Sequence, residues 1–257
     1  MKNKTNAVIL TANQPRHNYF VKTIGQNFDL KGVIIQPKKK YYSNTLLDKD
    51  IVKAHFDNLS AKESQYFGKF SQYIFQNKKF DTIETSDIND EFCIDWVRQK
   101  NPKVIFLFGT QILSKEWFDN FEHIINLHLG LSPFYRGSAT LFWPFYNKDL
   151  NHIGATIHLA ISKVDAGPII KQVKPDIKLG DNYYEINYKT IKKSIDEIST
   201  TTYDFLNDKI ELKSQDFVGE GLLYKKEDFT HDALKKALRY VENGVTSDHL
   251  ENLRRPD

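Results

Sequence analysis

Short apolar runs that alternate with longer amphipathic segments constrain the fold of this chain more than any other feature. Runs such as "VIFLF" are apolar at every position, which is typical of strands that are buried on both faces. We expect strands at residues 6–12, 31–36, 103–109, 123–129, 154–161 and 167–175. We expect helices from Pro15 onward, at residues 45–79 with a break, at 90–100, 138–147 and 182–207, and from an N-cap at Thr230 to a stop at Gly244. This alternation predicts an α/β fold with a mostly parallel, Rossmann-like sheet that is covered on both faces.

The size and composition of the chain exclude several classes of protein. With 257 residues, of which 40% are hydrophobic and 27% charged, the chain can bury a sizeable core. A net charge of +3 indicates no nucleic-acid partner. The single cysteine, Cys93, excludes an intramolecular disulfide and a cysteine-built zinc site, and we expect it in the core on a helix. No apolar run has the length of a signal peptide or a membrane span, so we expect a cytoplasmic protein with no membrane partner.

The loops that usually identify the commoner α/β enzymes are different here. The segment "LTANQPRHNYF" after the first strand contains no glycine, whereas a dinucleotide fold needs small residues at that turn. The sequence contains neither a G-x-x-x-x-G-K-[ST] phosphate loop nor a G-x-S-x-G nucleophile elbow. The lysine run "PKKKYYSN" at residues 37–44 is interpreted as a solvated loop, with phosphate contact as the alternative.

Three polar residues remain as candidates for chemistry. Asn126 and His128 in "INLHLGLSPFYRG" share strand parity, so their side chains leave the same face near the carboxyl end of a strand. Asp165 in "ISKVDAGPII" lies in a tight connection that can return a carboxylate to the same edge. An amide donor for an oxyanion, an imidazole for proton transfer and a carboxylate beside it suit acyl transfer. From spacing alone, a strand-end cap with an Asx turn explains these residues equally well.

Two linked motifs extend this interpretation. The segments "NLHLGLSPFYRG" and "GATIHLAISKVDAGPII" resemble the folate-dependent formyltransferase family, which carries N-x-H, a turn with proline, R-G, and then G-x-T-x-H…D-x-G-P-I. The matching residues are Asn126, His128, Pro133, Arg136, Gly137, Gly154, Thr156, His158, Asp165, Gly167, Pro168 and Ile169. The resemblance is dense from residue 103 to 172 and extends in pattern from residue 6 to about 207. Many relatives have Ser-Leu-Leu-Pro where this chain has Gly130 to Pro133, which leaves the acceptor preference less defined.

The resemblance implies an N-formyltransferase core that uses 10-formyltetrahydrofolate as co-substrate and no metal. Asn126 and His128 would stabilise the oxyanion when an acceptor amine attacks the formyl carbon, and Asp165 would support His128 in moving the proton. The family's pterin slot corresponds here to Leu107, Gly109, Thr110, Ile112, Lys163 and Val164. These residues fit plain strand core as well, and His158 is interpreted as support or core.

Family members differ in the amine that they formylate. A member that modifies tRNA would carry a large basic C-terminal domain, but residues 209–257 contain nine Lys and Arg against ten Asp and Glu. The purine-pathway member has a glycine-rich phosphate loop after its first strand, which this chain lacks. The chain is most similar to bacterial sugar N-formyltransferases, which act on a nucleotide-linked amino-deoxysugar for surface polysaccharide such as lipopolysaccharide O-antigen. Another small amine, such as an amino-acid derivative or aminonucleotide, and a non-catalytic folate-binding protein are the alternatives.

On this interpretation, four residues are candidates for binding the amino sugar. Arg16 and His17 begin the first helix and can meet a diphosphate, although Arg16 fits a solvated helix start equally well. Tyr135 and Arg136 follow the N-x-H turn and can line the sugar pocket. We expect a catalytic core at residues 1–207, a short α/β extension at 208–257, and a homodimer as a possible assembly.

Overall fold

The computed structural model describes residues 4–37, 50–215 and 222–253. The strands are β1 Asn6–Thr11, β2 Asp29–Ile35, β3 Asp81–Glu84, β4 Val104–Phe108, β5 Ile124–His128, β6 Tyr135–Gly137, β7 Ala155–Leu159, β8 Ile169–Val173 and β9 Leu222–Tyr224. Seven of them form one sheet in the order β3-β2-β1-β4-β5-β7-β8, and β6 and β9 form a separate pair. All six predicted strands are present.

The sheet is parallel from β3 to β5 and antiparallel from β5 to β8. The carboxyl ends of β1, β4 and β5 therefore meet at one edge, where open sheets bind their ligands. Neighbouring strands are about 5 Å apart, so β1 and β5 are separated by about 10 Å across β4. The predicted mostly parallel α/β fold is confirmed.

Helices cover both faces of this sheet. They are α1 Pro15–Asn27, α2 Asp50–Phe67, α3 Tyr73–Gln76, α4 Glu91–Gln99, α5 Lys115–Asn120, α6 Trp143–Tyr146, α7 Tyr183–Leu206, α8 His231–Tyr240 and α9 Ser247–Leu253. Alternate residues of β1 enter two different cores: Ala7 and Ile9 pack with α1, α2 and α7, while Val8 and Leu10 pack with α4 and α5. Period-two alternation of buried residues on both faces explains why the strand is apolar throughout.

The predicted helix starts follow side-chain caps. The Asp90 carboxylate accepts from Phe92 N at 2.9 Å, Asn182 Oδ1 accepts from Glu185 N at 3.0 Å, and Thr230 Oγ1 accepts from Ala233 N at 3.2 Å. Cys93 lies in α4 and is buried, as expected. The helix from Thr230 ends at Tyr240 rather than at Gly244, although Gly244 does have a positive φ of 80°.

The prediction of a helix at 138–147 is wrong for its first half, because only Trp143–Tyr146 is helical. Gly137 and Ala139 have φ values of 88° and 55°, in the left-handed region that a right-handed helix cannot include. Ser138 N donates to the Tyr224 carbonyl at 2.9 Å, so this segment is tied to β9 instead. The predicted helix at 45–79 is broken into α2 and α3 by a 3-10 turn at Gly68–Phe70. Its first residues and most of the lysine run lie outside the described residues.

The division of the chain at residue 207 stays a prediction. Leu234 and Ala237 of α8 belong to the same core as β1 and α7, so α8 packs directly on the residues before 207. Within the described residues, no helix combines the length and the apolar character that crossing a bilayer requires.

Candidate active site

Strand β5 presents Asn126 and His128 on one face at its carboxyl end. They pair across to β7, where Asn126 lies opposite His158 and His128 opposite Thr156, so all four side chains share that face. The His128 side chain is only 7% exposed, whereas Asn126 is half-buried. The predicted parity is confirmed: a regular strand places an amide and an imidazole side by side.

Asp165 reaches this pair from the connection between β7 and β8. Its Oδ1 lies 3.4 Å from Asn126 Nδ2, and its Oδ2 lies 3.3 Å from His128 Nδ1. The connection returns sharply at Gly167, where a Cβ would lie 1.8 Å from the Leu159 carbonyl oxygen. Asp165 itself has φ 49°, a left-handed conformation that non-glycine residues adopt at some energetic cost. The structure therefore brings together the predicted amide, imidazole and carboxylate, which we call the trio.

His158 holds the amide of Asn126. Its Nδ1 lies 2.8 Å from the Leu159 carbonyl oxygen, which only accepts, so Nδ1 carries the proton and Nε2 presents a lone pair. Asn126 Nδ2 donates to this lone pair at 3.0 Å. The second amide N–H points toward Asp165 over 3.4 Å, longer than a typical hydrogen bond, and can exchange partner. The sequence interpretation of His158 as support agrees with this contact, although its touch on Asn126 was not foreseen.

The pKa of His128 is lowered overall, because burial outweighs the groups that oppose it. Burial lowers the pKa of His128, while the Asp165 carboxylate and the Tyr135 carbonyl oppose that shift. His128 Nε2 lies 3.0 Å from the Tyr135 carbonyl oxygen and must donate to it, which leaves Nδ1 facing Asp165. Protonated His128 therefore has an acceptor for each ring N–H, so a proton delivered to this pair is stabilised between Nδ1 and Oδ2.

Asp165 stays ionised under ordinary conditions. Burial acts to raise the pKa of its carboxyl, but the neighbouring His128 and His158 rings and the Gly137 N–H outweigh burial and bring the pKa to about 2. The Gly137 N–H donates to Oδ2 at 3.2 Å. A fixed negative charge thus lies against His128, as a group that orients an imidazole requires.

The turn after β5 explains the departure from the family's Ser-Leu-Leu-Pro. A Cβ at Gly130 would lie 2.4 Å from His128 Nε2 and 2.7 Å from the Tyr135 carbonyl oxygen, so no larger residue fits this backbone. Thr156 Oγ1 donates to the Gly130 carbonyl at 2.7 Å and accepts from Ser132 N at 2.9 Å. The threonine of the G-x-T-x-H motif therefore braces the turn that follows N-x-H.

The residues predicted for the pterin slot lie beside the trio. Leu107 is the register partner of Asn126, and Gly109, Thr110 and Ile112 follow at the carboxyl end of β4. Ile112 is 66% exposed, and Val164 is also exposed on the loop that carries Asp165. Lys163 is exposed in the same loop. Exposed apolar side chains, Ile112 and Val164, therefore lie on the two loops nearest the trio.

Two of the four predicted sugar-binding residues are placed differently from the expectation. His17 is fully buried: its ring packs against Phe108 with a centroid distance of 4.5 Å, its Nδ1 lies 2.9 Å from Thr11 Oγ1, and it fills the space that a Cβ at Gly109 would take. The Tyr135 side chain is also buried, with its hydroxyl donating to Asp149 Oδ2 at 2.9 Å. Both rings are packed into the protein, and contact of these two residues with a sugar or a diphosphate stays a prediction.

The other two predicted residues are half-buried. Arg16 begins α1 and forms an ion pair with Glu63 of α2 at 2.6 Å, and Glu63 also accepts from the Arg16 backbone N–H. Arg136 lies in β6, next to the residues that contact His128 and Asp165. Two surface clefts elsewhere, of about 560 Å³ beside Lys236 and about 260 Å³ beside Glu197, include no member of the trio.

Sequence reasoning missed the main-chain groups of the site. The Tyr135 carbonyl and the Gly137 N–H touch His128 and Asp165, yet a backbone group leaves no residue-type signal. The R-G motif was an available signal for Gly137, whose φ of 88° favours glycine. Among the described residues, no cluster of His, Cys, Asp and Glu has the arrangement of a metal site.

Comparison with known proteins agrees with this geometry. Residues 8–201 match the family model described as formyl transferase. Among solved structures, a 4-N formyltransferase from Francisella tularensis is 18% identical with a TM-score of 0.60, and the match covers 91% of this chain and 87% of that one. An N-formyltransferase from Helicobacter canadensis, in complex with folinic acid and dTDP-3-aminofucose, is 16% identical with a TM-score of 0.60, over 91% of this chain and 79% of that one.

A purine-type enzyme shares the same fold. The phosphoribosylglycinamide formyltransferase from Anaplasma phagocytophilum is 18% identical with a TM-score of 0.56, over 87% of this chain and 100% of that one. At such identities these likenesses concern the fold, while the family match extends over most of the chain. The resemblance drawn from the two motifs is confirmed: the chain belongs to the formyl transferase family and is an enzyme of that kind.

Proposed function

We propose that this enzyme transfers a formyl group from 10-formyltetrahydrofolate to the amine of a nucleotide-linked amino-deoxysugar. The observation that carries the proposal is the convergence of Asn126, His128 and Asp165, with 3.4 Å or less between the carboxylate and each partner. This arrangement combines a donor for a developing negative charge with a proton-accepting pair. It needs no protein nucleophile, because the acceptor itself brings an amine.

A folate fits the surface beside the trio. Leu107, Ile112 and Val164 offer apolar side chains, and the backbone of the loops around them offers polar groups, the combination that flat heterocycles favour. The Helicobacter canadensis relative was solved with folinic acid, which supports a folate at the corresponding place. When bound, the folate would supply the formyl carbon, and the trio would stabilise the charge and transfer the protons around it.

Each member of the trio has a separate role in this proposal. Asn126 donates its second amide N–H to the formyl oxygen as that oxygen becomes negative, while His158 keeps the amide plane fixed. His128 accepts a proton from the attacking amine and returns one to the departing nitrogen. Asp165 stays ionised and stabilises protonated His128 through Nδ1. Burial of the two side chains keeps water from screening these interactions.

The acceptor is the least constrained part of the proposal. Arg16 lies at the start of α1, directly after β1, and only β4 separates β1 from β5 in the sheet, which supports Arg16 as a candidate for meeting a diphosphate. Such a contact requires Arg16 to exchange Glu63 for the ligand. The relative with dTDP-3-aminofucose supports a nucleotide-linked amino sugar, and Arg136 beside the site is a second candidate cation. Such a sugar is a cytoplasmic precursor of surface polysaccharide.

A different phosphorylated amine is the second candidate acceptor. The phosphoribosylglycinamide formyltransferase of Anaplasma phagocytophilum is matched over its whole length, which favours keeping glycinamide ribonucleotide in the comparison. The absence of glycine from residues 11–20, the segment after β1, argues against this acceptor, because a phosphate bound there needs close backbone approach.

Incubation with defined acceptors tests the proposal. The purified enzyme is mixed with 10-formyltetrahydrofolate and, separately, with dTDP- and UDP-linked amino sugars, glycinamide ribonucleotide and free amino acids, and products are analysed by mass spectrometry. We expect a formyl increment on at least one nucleotide-linked amino sugar, and none with the Asn126→Ala variant. Formylation of glycinamide ribonucleotide alone would replace the sugar by the second candidate, and no product with any amine would contradict both.

A further inference from the structure

Strand β9 of the C-terminal segment is joined to the strand that supports the trio. Leu222 N donates to the Phe134 carbonyl at 3.0 Å and Ser138 N donates to the Tyr224 carbonyl at 2.9 Å, in a parallel register that sets Gly137 opposite Tyr224. A Cβ at Gly137 would lie 2.3 Å from the Tyr224 carbonyl oxygen, so only glycine allows this approach. β6 and β9 are thus fixed closely to each other.

β6 supplies the two main-chain groups that touch the trio. The Tyr135 carbonyl accepts from His128 Nε2 at 3.0 Å, and the Gly137 N–H donates to Asp165 Oδ2 at 3.2 Å. In the seven-stranded sheet, β5 and β7 are held by neighbours on both sides, but the described partner of β6 is β9 alone. The position of both main-chain groups therefore depends on a strand that lies almost ninety residues later in the sequence.

The side chain of Tyr224 fixes that pairing. Its ring stacks on Trp143 with a centroid distance of 4.0 Å and an interplanar angle of 5°. Asn147 Nδ2 donates to Tyr224 Oη at 2.9 Å and to Tyr135 Oη at 3.2 Å, and the Tyr135 hydroxyl in turn donates to Asp149. Tyr224 thereby connects β9 to α6 and to the side chain of the residue whose carbonyl holds His128.

We propose that Tyr224 is a positioning residue for formyl transfer, and that the C-terminal strand completes the active site by holding β6 against His128 and Asp165. The proposal rests on the roles given above to those two residues. Without Tyr224, β6 loses its stacking and its amide link, and the Tyr135 carbonyl and Gly137 N–H move away from their partners. The effect is expected on turnover rather than on substrate affinity, because Tyr224 itself is linked to supports of the trio and not to the apolar folate surface.

Substitution of Tyr224 separates positioning from binding. For Tyr224→Ala we expect kcat to fall about tenfold with KM values within about twofold, since displacement of a reacting group by a fraction of an ångström slows chemistry more than binding. Tyr224→Phe removes only the bond from Asn147 and is expected to lose about twofold to threefold in kcat. The control is Leu223→Ala on the same strand, whose side chain is 56% exposed, and its kcat is expected to be unchanged.

A second readout requires no acceptor and no turnover. The ring of His128 is followed by NMR across a pH titration of the free enzyme, with its signal assigned by its disappearance in His128→Ala. The Tyr135 carbonyl raises the pKa of His128, so Tyr224→Ala should move its titration to lower pH, while Leu223→Ala should not. If Tyr224→Ala fails to fold, the same shift with smaller size is expected in Tyr224→Phe.

The outcomes distinguish this proposal from the proposed function. A folded Tyr224→Ala enzyme with the kcat of the unchanged enzyme and an unmoved His128 titration overturns the positioning role. Equal losses in Tyr224→Ala and Leu223→Ala also overturn it, because they would report a general effect of β9. If no amine is formylated but the His128 titration still shifts in Tyr224→Ala, the proposed function fails and the positioning role stands.

Discussion

Two buried histidines, His55 and His128, have different polar neighbours. His55 of α2 is 2% exposed and lies among the rings of Phe56, Tyr183 and Phe229, with Nδ1 3.2 Å from the Tyr184 hydroxyl. His128 is buried to a similar degree, but it faces the carboxylate of Asp165. Burial is shared by both residues, whereas among the described residues only His128 has a charged partner.

The difference teaches that burial alone does not make a histidine reactive. Burial lowers the pKa of His55 to about 4, so its ring is neutral at physiological pH and serves packing. At His128 the same effect of burial is opposed by Asp165 and by the Tyr135 carbonyl, which give the protonated ring two acceptors. Under the proposed function, the carboxyl end of β5 contributes chemistry, whereas His55 between α2 and α7 contributes packing.

Substitutions at the carboxyl end of β5 should lower activity far more than substitution of His55. Asn126→Ala and His128→Ala should each lower kcat by about 10²-fold or more, because each removes a group that acts on the reacting formyl group or its proton. His55→Leu should leave kcat within about twofold, since its ring contacts no member of the trio. Steady-state formyl transfer measured at matched folded concentration gives the comparison; an active His128→Ala enzyme would remove His128 from the chemistry.

Asp165→Asn removes the charged partner of His128 while keeping the shape of the side chain. Asparagine tolerates the left-handed backbone of this position and can still accept from the Gly137 N–H, so the fold should persist. We expect kcat to fall about a hundredfold because protonated His128 loses its charged partner. Circular dichroism and kinetics are measured on the same sample, with Asp119→Asn on the exposed face of α5 as control. Retained turnover in Asp165→Asn would show that the negative charge is not needed.

Gly130→Ala perturbs His128 through sterics alone. The added Cβ would meet His128 Nε2 at 2.4 Å and Thr140 Cβ at 2.6 Å, so the imidazole or the turn must move. We expect kcat to fall on the order of tenfold while folate binding is nearly preserved. Gly25→Ala is the matched control, since its nearest neighbour is Leu30 Cδ2 at 3.7 Å and nothing has to move. Equal turnover in both variants would contradict the close fit around His128.

The smallest expected effect concerns stability and pH. Because the folded pKa of His55 is about 4 and its ordinary value is 6.5, the unfolded chain binds more protons between these values, and stability falls as pH drops through this window. The loss approaches about 3 kcal/mol at and below pH 4, from about 1.4 kcal/mol for each unit of the shift. Urea unfolding at pH 7 and pH 4.5 measures it. His55→Leu should reduce this pH dependence, and Leu223→Ala, which changes no titratable group, should not; identical slopes in all three proteins would contradict the role of His55.

The sequence predicted the parts of this comparison to different extents. Asn126 and His128 were predictable because a buried strand repeats every two residues, and Asp165 because it lies in a tight connection between the two strands that follow. His55 gave no signal, since its environment is assembled from α2, α7 and the residues before α8. β6 and β9 were also missed, because strands of three residues that pair across so long a separation depend on tertiary contacts rather than on local pattern.

Other misses have similar physical reasons. β3 is a short edge strand with three exposed residues, so the apolar signal that revealed the other strands of the sheet is absent. His17 at a helix start suggested an anion contact, but the first turn of α1 directs this ring toward Phe108 and the core. Sequence pattern fixes which side of an element is buried more reliably than it fixes which polar side chain is left to meet a ligand.

In the proposed function, His128 and Asp165 act as one unit. A double-mutant cycle on the single-turnover rate shows whether their contributions depend on each other. Single-turnover formyl transfer is measured for His128→Ala, Asp165→Asn and the double variant, with His128→Ala combined with His55→Leu as the independent pair. If the two residues act as one unit, the variant that combines His128→Ala with Asp165→Asn should be no slower than the slower of the two single variants. Adding His55→Leu should leave the rate of His128→Ala unchanged. If the fold losses in rate of His128→Ala and Asp165→Asn multiply in the double variant, the two groups act independently and do not form a unit.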